Sequence, residues 1–355
     1  MENSDSLTAR IAPVTREHFR FTGSGSEYFR IWIVNLLLSI VTLGLYSAWA
    51  KVRREQYFHR HTVLADSSFE YHGRPWSILK GRLLIVGILF ANSLITNIWP
   101  LASLVTSLVF LVLWPWVLCQ ALRFRAANTS WRGIRMGFSG RLGEAAKILY
   151  LYGLAVPLSL GFAFPWWRSR LQKFIYGHLR LGNQPFGSEP DMRAFYLGYL
   201  GAAGIAALTI IPIAIILIVL FRALSQAPES KNVLAFGSMA VAWLGYIAIY
   251  TLSSAFVRSR IGNATFNATR VGEHAFVSTL RFLPLAGIMA GNLVLTIITL
   301  GLYWPYAKVR LARYRASALA IDVTGGLDHF VADSAQQVAA TGDEAADFMD
   351  IDLGF

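Results

Sequence analysis

Residues 35–57 read NLLLSIVTLGLYSAWAKVRREQY, and residues 292–314 read NLVLTIITLGLYWPYAKVRLARY. The second stretch is the first displaced by 257 positions, with TLGLY and AKVR intact. A self-match at that separation means that the chain is built from repeated units, so the unit decides the fold before any single residue does. Each copy runs from an apolar segment through a glycine into a basic, aromatic stretch. That order puts the glycine within reach of the bilayer and the charges at its edge.

Composition sets the class around this unit. Of the 355 residues 55% are hydrophobic and 15% charged, against roughly 25% charged in soluble domains, which identifies a polytopic membrane protein. The polar N-terminal stretch up to Arg30 has no short apolar core followed by a small-residue cleavage site, so no removable signal peptide is expected. Cys119, the single cysteine, excludes an intrachain disulfide and any multi-cysteine metal site. The net charge of +12 does not point to nucleic acid. The Lys and Arg residues flank the apolar runs, where they set topology and meet anionic lipid head groups. The last 25 residues carry six acids and no Lys or Arg, and residues 326–355 read as an acidic disordered tail.

The expected fold is an all-α polytopic membrane protein with internal repeats and about seven apolar segments, at roughly 31–49, 83–97, 101–122, 145–166, 196–221, 233–257 and 282–305. Residues 1–30 form a cytoplasmic N-terminal segment and 31–325 the membrane domain. Within that domain, repeat segments lie at about 31–57, 145–174 and 282–315, and transmembrane hairpins at about 83–122 and 196–257. The middle repeat is degenerate, at an offset of 117: Leu160-Gly161-Phe162 lies over Leu43-Gly44-Leu45, Arg168 over Lys51, Arg170 over Arg53, and Phe174 over Tyr57. The hairpins match each other at an offset of 135, with Arg123 and Arg125 over Arg258 and Arg260.

Charge weighs on the topology. With seven full crossings Lys plus Arg divide 19 against 13 between the two sides, whereas with only the two hairpins crossing they divide 30 against 2. The second division obeys the positive-inside rule, with both chain ends cytoplasmic. Retained basic pairs at equivalent positions also argue for a retained side. The length and apolarity of 282–305 argue for spanning, and a dipping backbone must be buried in protein to satisfy its hydrogen bonds. The repeat segments therefore either re-enter or span, with re-entry preferred.

Within the repeat, Gly44 and Gly301 are candidate bends, and Thr42 and Thr299 supply hydroxyls able to bond backbone carbonyls beside them. Tyr46, Trp49, Tyr57 and Tyr303 are interfacial aromatics. Lys51, Arg53, Arg168, Arg170, Lys308 and Arg310 are candidate contacts for anionic head groups. Asn35 and Asn292, seven residues before each threonine, share its helix face and suit a bond to a neighbouring helix. Short alternating stretches at 61–73, 128–140, 179–187 and 263–272 read as small cytoplasmic β-hairpin loops.

No metalloprotease, Walker A, nucleophile-elbow or cysteine-cluster motif is present. His59, His61 and His72 with Asp66 and Glu70 match no metal-ligand spacing. No acid lies within an apolar core, which counts against proton coupling. The expectation is a protein that is not an enzyme and carries no metal or cofactor.

FRFTGSGSEYFRIW, NLLLSIVTLGLYSAWAKVR and FEYHGRPWSILKGR together resemble the YjgN family of bacterial inner-membrane proteins, over the chain up to about Gly326. The resemblance implies a multi-pass protein of the inner membrane and supplies no reaction or substrate. It also implies a membrane-protein partner, such as a metallopeptidase. Transport or lipid handling around broken repeat segments is the preferred function class. The alternative is a non-catalytic scaffold or accessory subunit of another membrane protein. Re-entry has a direct readout: cysteines at Asp66→Cys, at Asn183→Cys and in the tail should all react with an impermeant thiol reagent from the cytoplasm. Periplasmic labelling at position 183 contradicts re-entry.

Overall fold

In the computed structural model, which describes residues 14–99, 101–226 and 231–324, every helical excursion starts and ends at one backbone hydrogen bond. The N–H of Thr22 donates to the carbonyl of His61 (2.9 Å), His72 to Asn128 (2.9 Å), Ser139 to His178 (2.9 Å), Glu189 to Ala268 (3.2 Å) and Thr279 to Ala318 (2.8 Å). Each bond closes the neck of a helical hairpin. The first hairpin is α1 (Gly25–Val41) and α2 (Ser47–Arg60), and the second is α3 (Pro75–Ile98) and α4 (Ala102–Ala127). The third rises through α5 (Leu142–Ala146), a π-helical segment (Lys147–Tyr152) and α6 (Gly153–Leu158), and returns as α7 (Phe164–Gly177). The fourth is α8 (Met192–Gln226) and α9 (Lys231–Asn267), and the fifth α10 (Phe282–Ile298) and α11 (Trp304–Ser317).

Short strands continue from each neck. They are β1 (Val14–His18), β2 (Arg20–Phe21), β3 (Thr62–Leu64), β4 (Ser67–Tyr71), β5 (Thr129–Trp131), β6 (Ile134–Phe138), β7 (Leu179–Leu181), β8 (Gln184–Ser188), β9 (Thr269–Val271), β10 (His274–Ser278) and β11 (Leu319–Thr324). Apart from β1 and β2, neighbours in sequence pair antiparallel, in the order β1-β11-β10-β9-β8-β7-β6-β5-β4-β3-β2. β1 and β2 are one extended run interrupted at Phe19. Its first part pairs with β11 (Val14 opposite Thr324) and its second with β3 (Phe21 opposite Thr62), so the sheet is nearly closed into a ring. Arg16 fastens that closure, donating to both carboxylate oxygens of Asp322 at 2.6 and 2.8 Å. Burying few residues per strand is sufficient because ring closure removes the free edges that isolated three-residue strands would expose.

The ring is filled. Three residues before each neck N–H stand Phe19, Phe69, Met136, Phe186 and Phe276. Phe19 stacks on Phe69 and Phe276 at 6.2 and 6.4 Å, and Phe276 on Phe186 at 6.0 Å. Three residues after each neck carbonyl stand Leu64, Trp131, Leu181, Val271 and Ile321, all at most 5% exposed. Alternate residues of a strand face the same side, so five units supply two inward tiers. The ring interior is a packed core rather than a pore.

The hairpins leave the ring on the side of the necks, while the tight β-turns at 65–66, 132–133, 182–183 and 272–273 lie on the other. At the tips of the first, third and fifth hairpins the chain reverses through one repeated turn. Leu43, Leu160 and Leu300 have φ of 50°, 50° and 49°, and Gly44, Gly161 and Gly301 have 90°, 93° and 93°. The glycine N–H bonds the carbonyl five residues back in each (Ser39, Val156, Thr296; 2.7, 2.8 and 2.7 Å), which is the longer bond of a Schellman motif. The preceding hydroxyl finishes the reversal. Thr42 and Thr299 each donate to the carbonyl four back at 2.7 Å and accept from the N–H four ahead at 2.9 Å. Ser159 does the same work in the third hairpin, accepting from Ala163 N–H at 2.8 Å and donating to Val156. α1 and α10 have 17 residues each, about 26 Å at 1.5 Å per residue, less than a ~30 Å hydrocarbon core. The arms of these hairpins are shorter than those of the second and fourth.

The second and fourth hairpins have arms of membrane-spanning length. Among the described residues, four helices are long and apolar enough to span: Pro75–Asn97, Ser103–Ala127, Met192–Ala223 and Asn232–Asn267. Pro115 inside α4 lacks an N–H and so frees the carbonyl of Leu111. The Tyr150 hydroxyl of the third hairpin donates to that carbonyl, joining the third hairpin to the second.

Two expectations need correction. The protein is not all-α with about seven apolar segments: among the described residues it has four helices long and apolar enough to span and an eleven-stranded, nearly closed antiparallel sheet. The short loops, expected as small hairpins forming a modest cap of short strands, are parts of one sheet, because hairpins also pair across the necks with their neighbours. The stretch expected as an N-terminal segment, 1–30, supplies β1, β2 and the start of α1. The tail expected at 326–355 lies outside the described residues. Gly44 has open space around it, so only its backbone conformation, φ +90°, opposes a side chain, whereas Gly87 is helical and equally open. Gly44→Leu or Gly301→Leu should therefore lower stability in detergent by about 1–3 kcal/mol, and Gly87→Leu should leave it unchanged or raise it. Thermal unfolding of the three purified variants provides the check.

Candidate functional site

The return helices α2, α4, α7, α9 and α11 all end at a neck carbonyl, which puts their residues in register. Ten positions before that carbonyl stand Lys51, Leu118, Arg168, Arg258 and Lys308, and eight before it Arg53, Gln120, Arg170, Arg260 and Arg310. Two residues on a helix are about 200° apart, so the two sets occupy opposite faces. Each set carries a cation in four units of five, with Leu118 and Gln120 at the two positions of the second.

Two members of the first set, Arg168 and Arg258, border a central cavity of about 660 Å3 between the ring and the helices, whereas Lys51, Leu118 and Lys308 do not line it. Phe19, Phe69 and Met136, three members of the packed tier, form its floor on the ring side. Arg168 and Gln172 of α7, Arg258 and Thr265 of α9 and Arg315 of α11 line its walls, while Arg170, Arg260 and Arg310 do not. Arg315 follows Lys308 by seven residues and so shares its helix face. No carboxylate lines the cavity, and among the described residues Arg168, Arg258 and Arg315 form no ion pair. Burial, and then Arg258, weaken the hold of Arg315 on its proton, with Tyr176 opposing them. Burial raises Tyr176 while Arg168, Arg125 and Arg315 pull it down. Lys308 stands within electrostatic reach of Arg54, Arg315 and Arg258. Gathering like charges without acids costs free energy until an anion joins them.

Other candidate residues of the repeat build the hairpins. Asn35 and Asn292 are buried, and Asn292 Nδ2 donates to Ala307 O at 3.1 Å, tying α10 to α11. The side-chain oxygens of both asparagines have no partner. Tyr57 donates to the carbonyl of Ser24 at 2.8 Å and packs on Tyr28 at 5.1 Å, holding the return helix to the start of its hairpin. Burial and then the Glu27 carboxylate push its hydroxyl up to about 12. Tyr314 is its counterpart, accepting from Arg281 N–H at 2.9 Å and donating to Arg281 O at 3.0 Å. Tyr46 stacks on Trp49 at 6.0 Å with Arg53 over its ring at 5.6 Å, and Tyr303 stacks on Tyr306 at 5.6 Å. Thr42, Thr299, Gly44 and Gly301 make the tip turns.

Of the residues singled out from sequence, the structure brings Arg168 into the cavity and leaves Arg53, Arg170 and Arg310 on the outward faces. Sequence reasoning missed Arg315 as a site residue and noted Arg258 only as a repeat match. The seven-residue spacing from Lys308 to Arg315 was the available signal. Among the described residues no group of three or more His, Cys, Asp or Glu could hold a metal ion.

The family profile described as "Bacterial protein of unknown function (DUF898)" matches residues 16–348. The chain is 28% identical over 152 residues to inner membrane protein YjgN of Escherichia coli O157:H7 and of Escherichia coli strain K12, a match covering 42% of this chain and 38% of each relative. It is 30% identical over 141 residues to inner membrane protein YjgN of Salmonella typhimurium, covering 39% and 35%. The chain thus matches little more than a third of the length of these curated relatives. No solved structure matches it. With four membrane-length apolar helices among the described residues and a family match over most of its length, the chain belongs to the DUF898 family, the YjgN family of multi-pass bacterial inner-membrane proteins.

Proposed function

We propose that the protein handles lipid, drawing the phosphate head group of an anionic lipid into the central cavity from the leaflet next to the ring. The observation that carries this reading is the cavity wall, where three arginines and no acid stand among apolar and aromatic side chains. Guanidinium groups suit phosphate because their donors are fixed in a plane and remain charged when partly desolvated. The packed tiers close the ring side, so lipid reaches the cavity from between the helices. The distribution of Lys and Arg places the ring in the cytoplasm, which makes the donor the cytoplasmic leaflet. The activity is binding and movement without covalent chemistry.

A second reading has its own support. The windows that define the four spans are only 17%, 11%, 0% and 6% buried, so the crossing hairpins have free faces for another membrane protein. On that reading the protein is a scaffold or accessory subunit, and the cavity lipid is structural.

Lipid retained through purification separates the readings. Wild-type protein should retain phosphatidylglycerol and cardiolipin enriched over phosphatidylethanolamine relative to the membrane it came from. Arg168→Gln, Arg258→Gln and Arg315→Gln together should abolish the enrichment, each basic residue contributing about 1 kcal/mol. Arg170→Gln with Arg310→Gln, on the outward faces, should leave it intact. Bulk membrane composition in the wild type overturns the proposal, and anionic lipid that stays bound without exchanging into vesicles favours the scaffold.

A further inference from the structure

Beside the central cavity, between the tip of the third hairpin and α8, lies an apolar groove of about 450 Å3. Val156, Leu160, Phe162 and Pro165 form one wall, and Tyr196 and Leu200 the other. Tyr199 lines both the groove and the arginine cavity. Its ring meets Phe164 edge-on with centroids 5.1 Å apart, and its hydroxyl faces the Arg168 guanidinium. One side chain therefore stands between an apolar bay and a cationic chamber.

The third hairpin departs from the first and fifth in the arm that forms this bay. α1 and α10 are continuous 17-residue helices, whereas the third rises through a π-helical segment and a helix containing Pro157. Trp167 Nε1 donates to the carbonyl of Ile148 at 2.9 Å, so the altered backbone is held rather than loose. Single π turns within helices occur preferentially where a helix has been reshaped for function. Leu160 and Phe162, at the outer lip, are 90% and 75% exposed. Two large apolar side chains left this open suit contact with hydrocarbon.

We propose that the groove holds an acyl chain of the same anionic lipid whose head group occupies the arginine cavity, with Tyr199 as the threshold between chain and head. The inference rests on the lipid-handling reading given above. The occupant is a lipid because only a molecule apolar at one end and anionic at the other satisfies two adjoining sites of opposite character. A helix from another protein would fill the bay and leave the arginines unmatched.

The test uses phosphatidylglycerol carrying a diazirine near the end of one chain, photolysed on full-length protein in nanodiscs, with adducts mapped by peptide. Adducts should concentrate in 156–165 and 196–200, and Val156→Trp with Leu200→Trp should lower their yield at least fivefold. If that pair does not fold, Leu200→Trp alone serves, at a position 60% exposed. Adducts spread evenly over α3, α4, α8 and α9 and indifferent to tryptophan overturn the groove assignment, while retained phosphatidylglycerol enrichment leaves the cavity reading standing. Groove adducts equal in yield from a phosphatidylcholine with the same diazirine, and unchanged by Arg168→Gln, overturn the pairing of chain and head and count against the cavity reading itself.

Discussion

Five backbone hydrogen bonds at the hairpin necks constrain everything else in this protein. Because each joins the residue entering a helical hairpin to the residue leaving it, no excursion can end on the far side of the membrane. The chain must cross twice or not at all between one strand pair and the next. That rule turns hairpin length into the only topological variable: short arms dip, long arms cross, and both return to the ring. It also keeps all four β-turns of the ring on one side, so basic residues in equivalent loops face one compartment. The biased charge distribution is a consequence of the necks as much as a cause of the orientation.

The tips of the first, third and fifth hairpins show how a chain could reverse inside hydrocarbon without leaving polar groups unmet. A backbone turn there costs several kcal/mol for each unsatisfied group. Thr42, Ser159 and Thr299 remove part of that cost by serving both arms, donating into the end of the rising arm and accepting from the start of the return helix. Gly44, Gly161 and Gly301 take the positive φ that the reversal requires, and a leucine beside each takes a second one at a cost of about 1–2 kcal/mol. Those leucines are at least 90% exposed, which in the bilayer is contact with lipid. The tip therefore needs a hydroxyl, a glycine and an apolar residue in that neighbourhood, which is what the repeated T-L-G and S-L-G sequences provide.

The repeat, its bend, the crossing hairpins and the existence of short β-turn loops could be read from sequence, because each has a local signal. Thr42 and Gly44 are adjacent to the turn they make, and the AKVR cations follow at fixed spacing. The ring could not be read. Its strands are mostly three to five residues long, too short for a period of two to declare itself, and its closing pair joins Arg16 to Asp322 across 306 positions. The fivefold register was hidden as well, because short and long hairpins alternate and no single offset aligns them. Sequence offsets of 117, 135 and 257 each align like with like, whereas counting from the necks aligns all five. Only in that frame do Phe19, Phe69, Met136, Phe186 and Phe276 become equivalent.

The same frame explains why a filled ring and a cationic cavity belong together. A barrel of this size could have enclosed water, and a row of inward cations above an open channel would then be a selectivity filter for soluble anions. Two tiers of apolar side chains exclude that route, with Trp131 2% and Ile321 3% exposed. Cations held over such a floor lose water on one side and gain no counter-charge from the protein, since the lining offers tyrosine, glutamine and hydroxyls but no acid. Arg168 and Arg258, at equivalent positions of two return helices, are joined there by Arg315. Cations gathered where the lining offers them no acid find their compensation in what the protein binds. With the ring sealed, the membrane is the remaining direction from which an anion can arrive.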